Sequence, residues 1–389
     1  MALGARGAAD AQGVAILGST GSIGRSALAV LERHPDRFRL VALAAHRNAE
    51  ALAEQVERYR PGLAVLGGEV LERPAGLQAE WACGREGLLA AATHPEADIV
   101  VNAVVGAAGL EATLAALDAG KRLALANKES LVAGGPLVLD ALRRGGGELV
   151  PIDSEHSAIL QCLRGTVPRD VRRLILTASG GPFRGWSAAA LDGATPEAAL
   201  RHPTWRMGAK ITVDSATLAN KALEVIEAHF LFGVPYDAIE VVVHPQSVIH
   251  SMVELADGSV LAQMGFPTME LPILYALTYP ERLADAGVPV FDPVAARSLT
   301  FEAVDGAGFP MLRLGVEAGR AGGTAPAIFN AANEVAVAGF LAGNLPFRAI
   351  PAVVEDALGA QAARPVDCLE TVLEADRRAR ATVRGRMEC

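Results

Sequence analysis

Over the first 150 residues, short apolar runs at 14–17, 39–45, 63–66, 99–104, 122–126 and 148–152 alternate with stretches at 26–32, 50–59 and 110–118 of helical spacing. Runs with no in-and-out alternation suit strands covered on both faces. Their interleaving with helices predicts a parallel sheet. Further on the pattern changes: strand-like runs at 174–177, 240–243, 251–255 and 260–263 predict a mixed sheet, with a Gly/Pro-rich loop at 179–185. A proline-bearing segment at 287–293 breaks the periodicity, and helical stretches at 311–318, 325–342 and 350–357 follow. The expected fold class is α/β: an N-terminal Rossmann-like parallel-sheet domain over 1–150, a central α+β domain over 151–286, a linker over 287–310 and a C-terminal helical bundle over 311–389.

One stretch combines both kinds of position. If Asp214 or Ser215 caps a helix, Thr217, Asn220, Lys221 and Glu224 fall on one stripe, while Leu218, Ala222, Val225 and Ile226 cover the opposite side. A solvated surface face and a face lining a site are both open readings.

Gly18, Gly21 and Gly24 lie between the first apolar run and the first helix, where missing side chains let backbone N–H groups approach a pyrophosphate. An ordinary tight turn has the same glycines. After the second run the chain reads Ala45, His46, Arg47, Asn48, without the acid of an NAD-specific site. Arg47 suits the 2′-phosphate of NADP, or is a solvated loop residue.

The chain has 389 residues, 51% of them hydrophobic, enough for two or three domains with substantial cores. A net charge of −9 gives no basic footprint for nucleic acid or an anionic membrane. Cys83, Cys162, Cys368 and Cys389 form no CxxC pair, which argues against a zinc cluster and for reduced thiols. Residues 1–12 lack the apolar core of a signal peptide, and no apolar run reaches membrane-spanning length, so a soluble cytoplasmic protein is expected.

Asp153, Ser154 and Glu155 follow the run at 148–152 and precede an apolar stretch at 158–163. Asp153 or Ser154 caps that helix, or Asp153 and Glu155 bind a cation. With Glu224 as a third carboxylate and no paired histidine or cysteine, the donor set suits Mg²⁺ or Mn²⁺; His244 and His250 are left out of it. Ser179, Ser215, Asn220 and Lys221 can hold a phosphate; their plain readings are a turn residue, a cap and a surface lysine. The segment from His202 through Trp205 and Met207 to Gly208 reads as a lid or as a packed loop.

The motifs GSTGSIG (18–24), ANKES (126–130), IDSEHS (152–157), ASGGPF (178–183), HPTWRMG (202–208), DSATLANK (214–221), VHPQS (243–247) and FNAANE (329–334) occur in this order. In them the chain closely resembles the 1-deoxy-D-xylulose 5-phosphate reductoisomerase family over nearly its whole length. The resemblance implies NADPH- and divalent-cation-dependent rearrangement and reduction of 1-deoxy-D-xylulose 5-phosphate to 2-C-methyl-D-erythritol 4-phosphate, in non-mevalonate isoprenoid precursor synthesis. It also implies a homodimer whose contact lies in the central, catalytic domain.

Carried over residue by residue, it implies the cation on Asp153, Glu155 and Glu224. Substrate lies against Lys128, Ser154, Glu155, Ser179, His202, Ser215, Asn220, Lys221 and Glu224. NADPH contacts Thr20, Gly21, Ser22, Ile23, His46, Arg47, Asn48, Asn127, Glu129 and Gly208. Lys128, Asp153, Glu155, Glu224 and His202 form the catalytic set, and Trp205 and Met207 belong to the flap. Two departures stand out: Pro267, Thr268, Met269, Glu270 where the family reads Pro-Asp-Met-Arg, and His46, Arg47, Asn48 where Gly-Lys-Asn is common. Two rivals remain. A dehydrogenase for another sugar phosphate needs no cation, and a nucleotide-sensing binding protein consumes no NADPH.

Overall fold

The structure is a computed structural model that describes residues 11–68 and 76–388. Cys389 and most of the N-terminal stretch read above lie outside the described residues.

The first part of the chain runs β1 (Gln12–Leu17), α1 (Ser22–Arg33), β2 (Phe38–Ala45), α2 (Ala49–Tyr59), β3 (Leu63–Leu66), β4 (Glu80–Cys83), α3 (Gly84–Ala92), β5 (Ile99–Asn102), α4 (Ala108–Asp118), β6 (Arg122–Leu125), α5 (Lys128–Gly145), β7 (Glu148–Pro151) and α6 (Ser154–Cys162). There follow β8 (Val171–Ala178), the short helices α7 (Ala188–Leu191) and α8 (Pro196–Ala199), α9 (Ala209–Thr217), α10 (Ala219–Phe232), β9 (Ile239–Val243), β10 (Ile249–Leu255), β11 (Val260–Met264) and α11 (Glu270–Thr278). The last part holds α12 (Pro293–Ala296), α13 (Met311–Ala321), α14 (Ala325–Leu341), α15 (Ile350–Gly359) and α16 (Leu369–Met387). Two compact units form: Met1–Ser130 with Val138–Ser157 and Thr268–Pro289, and Leu131–Leu137 with Ala158–Pro267 and Val290–Cys389.

In the first unit seven parallel strands lie in the order β4-β3-β2-β1-β5-β6-β7. Leu17 pairs with Ala44 and Asn102, Asn102 with Leu125, and Leu125 with Pro151. In register, these strands end together, so the loops that leave them share one edge. The strand order reverses at β1, the place where open parallel sheets bind ligands beyond the carboxyl ends. β1, β3 and β5 are almost wholly buried, the reason their sequences show no alternation.

The chain returns to this unit with α11. Arg33, in the last turn of α1, bonds Glu270 at 2.6 Å and Asp285 at 2.7 and 2.9 Å, and His34 meets Asp285 at 3.1 Å. Burial works to raise the Asp285 pKa, but its bonds with Arg33, the Gly287 amide and His34 outweigh that and hold it below the usual carboxylate range. Thr268 Oγ1 accepts the Glu270 amide at 3.2 Å. The departures at 268 and 270 therefore serve a helix start and an ion pair within this unit.

The second unit has a mixed sheet in the order β11-β10-β8-β9, with β10 antiparallel to β8 and β11 and with β8 parallel to β9. Ile159, Leu174, Leu176, Val225, Ala228 and Val253 form one core against it. A larger core gathers α9, α10 and the C-terminal helices around α14, which is buried on nearly every side, with Phe329 at its centre.

The segment around 214–224 departs from its expected form. Asp214 and Ser215 do not begin a helix; they sit in the last turn of α9. Leu218 takes a left-handed conformation at φ 63°, and α10 starts anew at Ala219. The expected polar stripe is not solvated either: Thr217, Lys221 and Glu224 are all buried. Local capping preference favoured Asp214, but its carboxylate bonds Asn333 on α14, a partner no local rule can see.

Phe329→Ala should lower unfolding free energy by about 3–5 kcal/mol, the usual cost of emptying an aromatic site in a packed core. Urea denaturation of the purified protein measures it, and an unchanged midpoint would remove α14 from the centre of the core.

Candidate active site

In the first unit, β1 hands over to α1 through a loop that only glycine fits at two places. Gly18 has φ +85°, and a Cβ there would lie 2.5 Å from the Ala103 carbonyl; a Cβ on Gly24 would lie 2.4 Å from the Gly18 carbonyl. Close packing of loop on helix aims the first turn of α1 outward, and that turn has neither a capping side chain nor an acid. Its N–H groups and the positive end of the helix dipole suit a phosphate. Thr20 and Ile23 are half-buried there, while Gly21 and Ser22 are exposed. At the end of β2, His46, Arg47 and Asn48 are exposed, and Asn48 caps α2 by accepting the Ala51 amide at 3.0 Å.

Beyond β5 and β6 lies a buried polar network. Asn102 donates to the Gly109 carbonyl at 2.8 Å and to Thr113 at 2.9 Å, and Thr113 meets Ser130 at 3.0 Å. Asn127 accepts the Ser130 amide at 2.9 Å and donates to the carbonyls of Val104 and Gly106 and to Glu129 Oε2, the last at 2.9 Å. Asn127 thus caps α5 and pins the loop after β5. The role of Asn102, Thr113 and Ser130 in this network had no periodic signal; a polar residue closing the apolar run of β5 was the one available clue.

Lys128 follows Asn127 and forms an ion pair with Asp153, just past the end of β7. Asp153 Oδ1 accepts the Glu155 amide at 3.3 Å, and Ser154 Oγ donates to Glu155 Oε2 at 2.5 Å. Asp153 thus bonds the first turn of α6 through Oδ1 and pairs with the Lys128 ammonium through Oδ2.

The second unit gathers another set. Ser179 follows β8, and its Oγ lies 3.0 Å from His202 Nε2, which is 3.1 Å from Ser215 Oγ. His202 Nδ1 accepts the amides of Thr204 at 3.1 Å and Trp205 at 2.9 Å. Two N–H donors on Nδ1 leave the ring proton on Nε2, between the two hydroxyls. Burial pushes the His202 pKa below its ordinary value, and protonating Nδ1 would also break both amide bonds. Imidazole and hydroxyls together make a neutral donor set for an oxyanion. The ring of Trp205 lies 6.3 Å from that of His250, over the same region.

On α10, Lys221 Nζ donates to the Thr177 carbonyl at 2.6 Å and pairs with Glu224 Oε2, while Asn220 Nδ2 donates to Glu224 Oε1 at 2.5 Å. Glu224 is 1% exposed and Lys221 3%. Asn220 Oδ1 is buried with no hydrogen-bond partner. A buried carboxylate beside an unsatisfied amide oxygen is a hard oxygen set, which fits a divalent cation or a donor from a ligand. A separate cavity of about 480 Å³, lined by Trp186, Phe309 and Phe347 among others, takes none of these residues.

A parallel sheet whose first strand turns on glycines into a helix, and a second unit with a buried carboxylate and a neutral His–Ser donor set, are features of a nicotinamide-dependent α/β oxidoreductase. The chain belongs to the 1-deoxy-D-xylulose 5-phosphate reductoisomerase family. The family models for 1-deoxy-D-xylulose 5-phosphate reductoisomerase, for its C-terminal domain and for the DXP reductoisomerase C-terminal domain match residues 14–135, 149–232 and 264–382. The reductoisomerase of Symbiobacterium thermophilum is 54% identical over 382 residues, 96% of this chain and 98% of its own. That of Ralstonia nicotianae is 53% identical over 94% of this chain and 96% of its own. Among solved structures, the Zymomonas mobilis enzyme in complex with NADPH superposes with a TM-score of 0.91 at 45% identity, over 98% of this chain and 99% of that one. A DOX-P reductoisomerase in complex with NADPH, fosmidomycin and magnesium gives 0.92 at 40% identity, over 97% and 98%.

The His202 geometry has a measurable consequence. Its imidazole should titrate below the ordinary value of about 6.5, followed by NMR of the ring protons. The sign follows from linkage: as pH falls from that value through the lowered one, the unfolded chain takes up a proton the folded chain refuses, so stability is lost across that window. A midpoint at or above the ordinary value would contradict the Nδ1 acceptor geometry.

Proposed function

We propose that this chain converts 1-deoxy-D-xylulose 5-phosphate to 2-C-methyl-D-erythritol 4-phosphate with NADPH and Mg²⁺ or Mn²⁺. The observation that carries the reading is the bonded set of half-buried Asn220 with buried Lys221 and Glu224, together with the His202 hydroxyl cluster of the same unit, in a chain of this family. In the proposal Ser179, Ser215, His202 and Asn220 hold the substrate phosphate through neutral donors, with Lys221 adding charge. Asp153, Glu155 and Glu224 hold the cation, and Ser154 orients Glu155. Lys128, charged beside Asp153, keeps a proton near the reacting oxygens.

NADPH is assigned to Thr20, Gly21, Ser22, Ile23, His46, Arg47, Asn48, Asn127, Glu129 and Gly208, with Arg47 on the 2′-phosphate. Held on Asp153, Glu155 and Glu224, the cation would polarise the ketone and hydroxyl oxygens, and NADPH would supply the hydride. Trp205 and Met207 close over the substrate and exclude water. The same proposal divides the chain into a NADPH-binding domain (1–150), a catalytic, metal-binding and dimerisation domain (151–286), a linker (287–310) and a C-terminal helical domain (311–389). It places the enzyme in the cytoplasm; among the described residues no helix is long and apolar enough to cross a membrane.

The reaction is followed by NADPH absorbance with 1-deoxy-D-xylulose 5-phosphate, with and without Mg²⁺ or Mn²⁺. Folded protein that consumes no NADPH, or consumes it equally without cation, would sink the proposal. Glu224→Gln should lower kcat by roughly 100-fold or more and leave NADPH affinity nearly unchanged. An equal loss in both would count against the residue assignment.

The homodimer is proposed to form on β11, one of the two edge strands of the second sheet, where Val260, Leu261 and Met264 are exposed. An open apolar edge is the usual place for a second copy to pair. Leu261→Lys should shift the protein toward monomer in sedimentation velocity; a wild-type chain that sediments as a monomer at micromolar concentration overturns this assignment.

A further inference from the structure

The FNAANE segment of α14 has no part in the reaction described above, yet it places a buried amide against the helix that bears Ser215. Asn333, 0% exposed, donates from Nδ2 to Asp214 Oδ1 at 2.7 Å. Asp214 is 1% exposed and pairs through Oδ2 with Lys210 Nζ at 2.9 Å. Lys210 stands in the first turn of α9, two residues after Gly208, the N-cap residue at which the segment from His202 ends.

The backbone of Asp214 is engaged as well. Its carbonyl accepts from Thr217 Oγ1 at 3.2 Å, and the Thr217 hydroxyl in turn accepts the Ala219 amide at 3.2 Å. The Ser215 carbonyl accepts the Leu218 amide at 3.3 Å, inside the left-handed turn. Asp214 therefore ties the start of α9 to its end, and the Thr217 hydroxyl carries the link on to the first residue of α10.

A carboxylate taken out of water needs its oxygens satisfied, and one left unpaired re-forms its bonds elsewhere. Asn333 supplies the bond to Oδ1. Without it, Asp214 is free to turn toward Lys210 and carry the neighbouring Ser215 away from His202 Nε2, 3.1 Å distant. A displacement of that scale at a phosphate ligand is enough to weaken substrate binding.

We propose that Asn333 is a positioning residue for the substrate site, acting through Asp214 to set the Ser215 hydroxyl. The inference rests on the reading of Ser215 as a phosphate ligand. It assigns to a helix of the C-terminal core a share in substrate affinity, with no contact to substrate.

The test is a double-mutant cycle on KM for 1-deoxy-D-xylulose 5-phosphate, with kcat, KM for NADPH and Tm measured on the same preparations. Ser215→Ala and Asn333→Ala should each raise the substrate KM roughly tenfold, and the double variant should match Ser215→Ala alone. KM for NADPH should stay unchanged. A merely structural role would lower Tm and leave the two effects on KM multiplicative. That result, or an unchanged KM in folded Asn333→Ala, overturns the inference. An unchanged KM in Ser215→Ala rejects the phosphate reading of Ser215 and this inference with it. If Asn333→Ala does not fold, Asn333→Ser keeps a donor and a smaller gap, and the same cycle is run with an intermediate KM expected.

Discussion

A lysine ammonium taken out of water stays charged only if other oxygens replace its hydration. Lys221 meets that condition with the Glu224 carboxylate and the Thr177 carbonyl, and the second unit is organised around it. The carbonyl comes from β8, whose next residues carry Ser179, and both charged groups come from the first turns of α10. For α10 to begin at Ala219, the chain has to stop α9 and turn, and Leu218 does so at a positive φ that costs a non-glycine residue about 1–2 kcal/mol. Burial of the Leu218 side chain helps to offset that strain. Ser215 on one helix and Asn220 on the next are thus set on separate helices, although they stand five positions apart in the sequence.

The first unit answers a different constraint. Strands in parallel register end together, and the polar backbone that leaves them needs partners at that edge. Asn102, Thr113, Asn127 and Ser130 supply those partners and leave Lys128 beside Asp153. The glycine loop meets the same requirement by removing side chains rather than adding donors. Small residues permit the close approach, and the outward-facing turn of α1 is its result.

Much of this was legible from the chain itself. β1, β2, β3 and β5 to β7 fall on their apolar runs because burial on both faces leaves little room for polar positions. β4 was not legible: it is short, lies at the sheet edge and is half exposed, so its four residues carry no apolar run. Nor was α16, an arginine-rich helix with few buried positions. The motif residues Ser179, His202, Ser215, Asn220, Lys221 and Glu224 were visible, but the burial of Lys221 and Glu224 was not, because the stripe at 217–224 has the same spacing on a solvated helix. Asp214 looked like a helix cap since its partner stands 119 positions further on. The return of α11 to the first unit likewise depends on ion pairs between residues far apart in sequence, Arg33 with Glu270 and Asp285.

Those ion pairs bear on how this enzyme can be recombined with its relatives. The Glu270 carboxylate rests on Arg33 at the end of α1. A chimera whose imported α11 placed an arginine at 270 would set two guanidinium groups against each other and leave Asp285 to serve both. The junction tolerates grafting only when the end of the first helix travels with the eleventh, so residues 33 and 270 form a single unit of exchange.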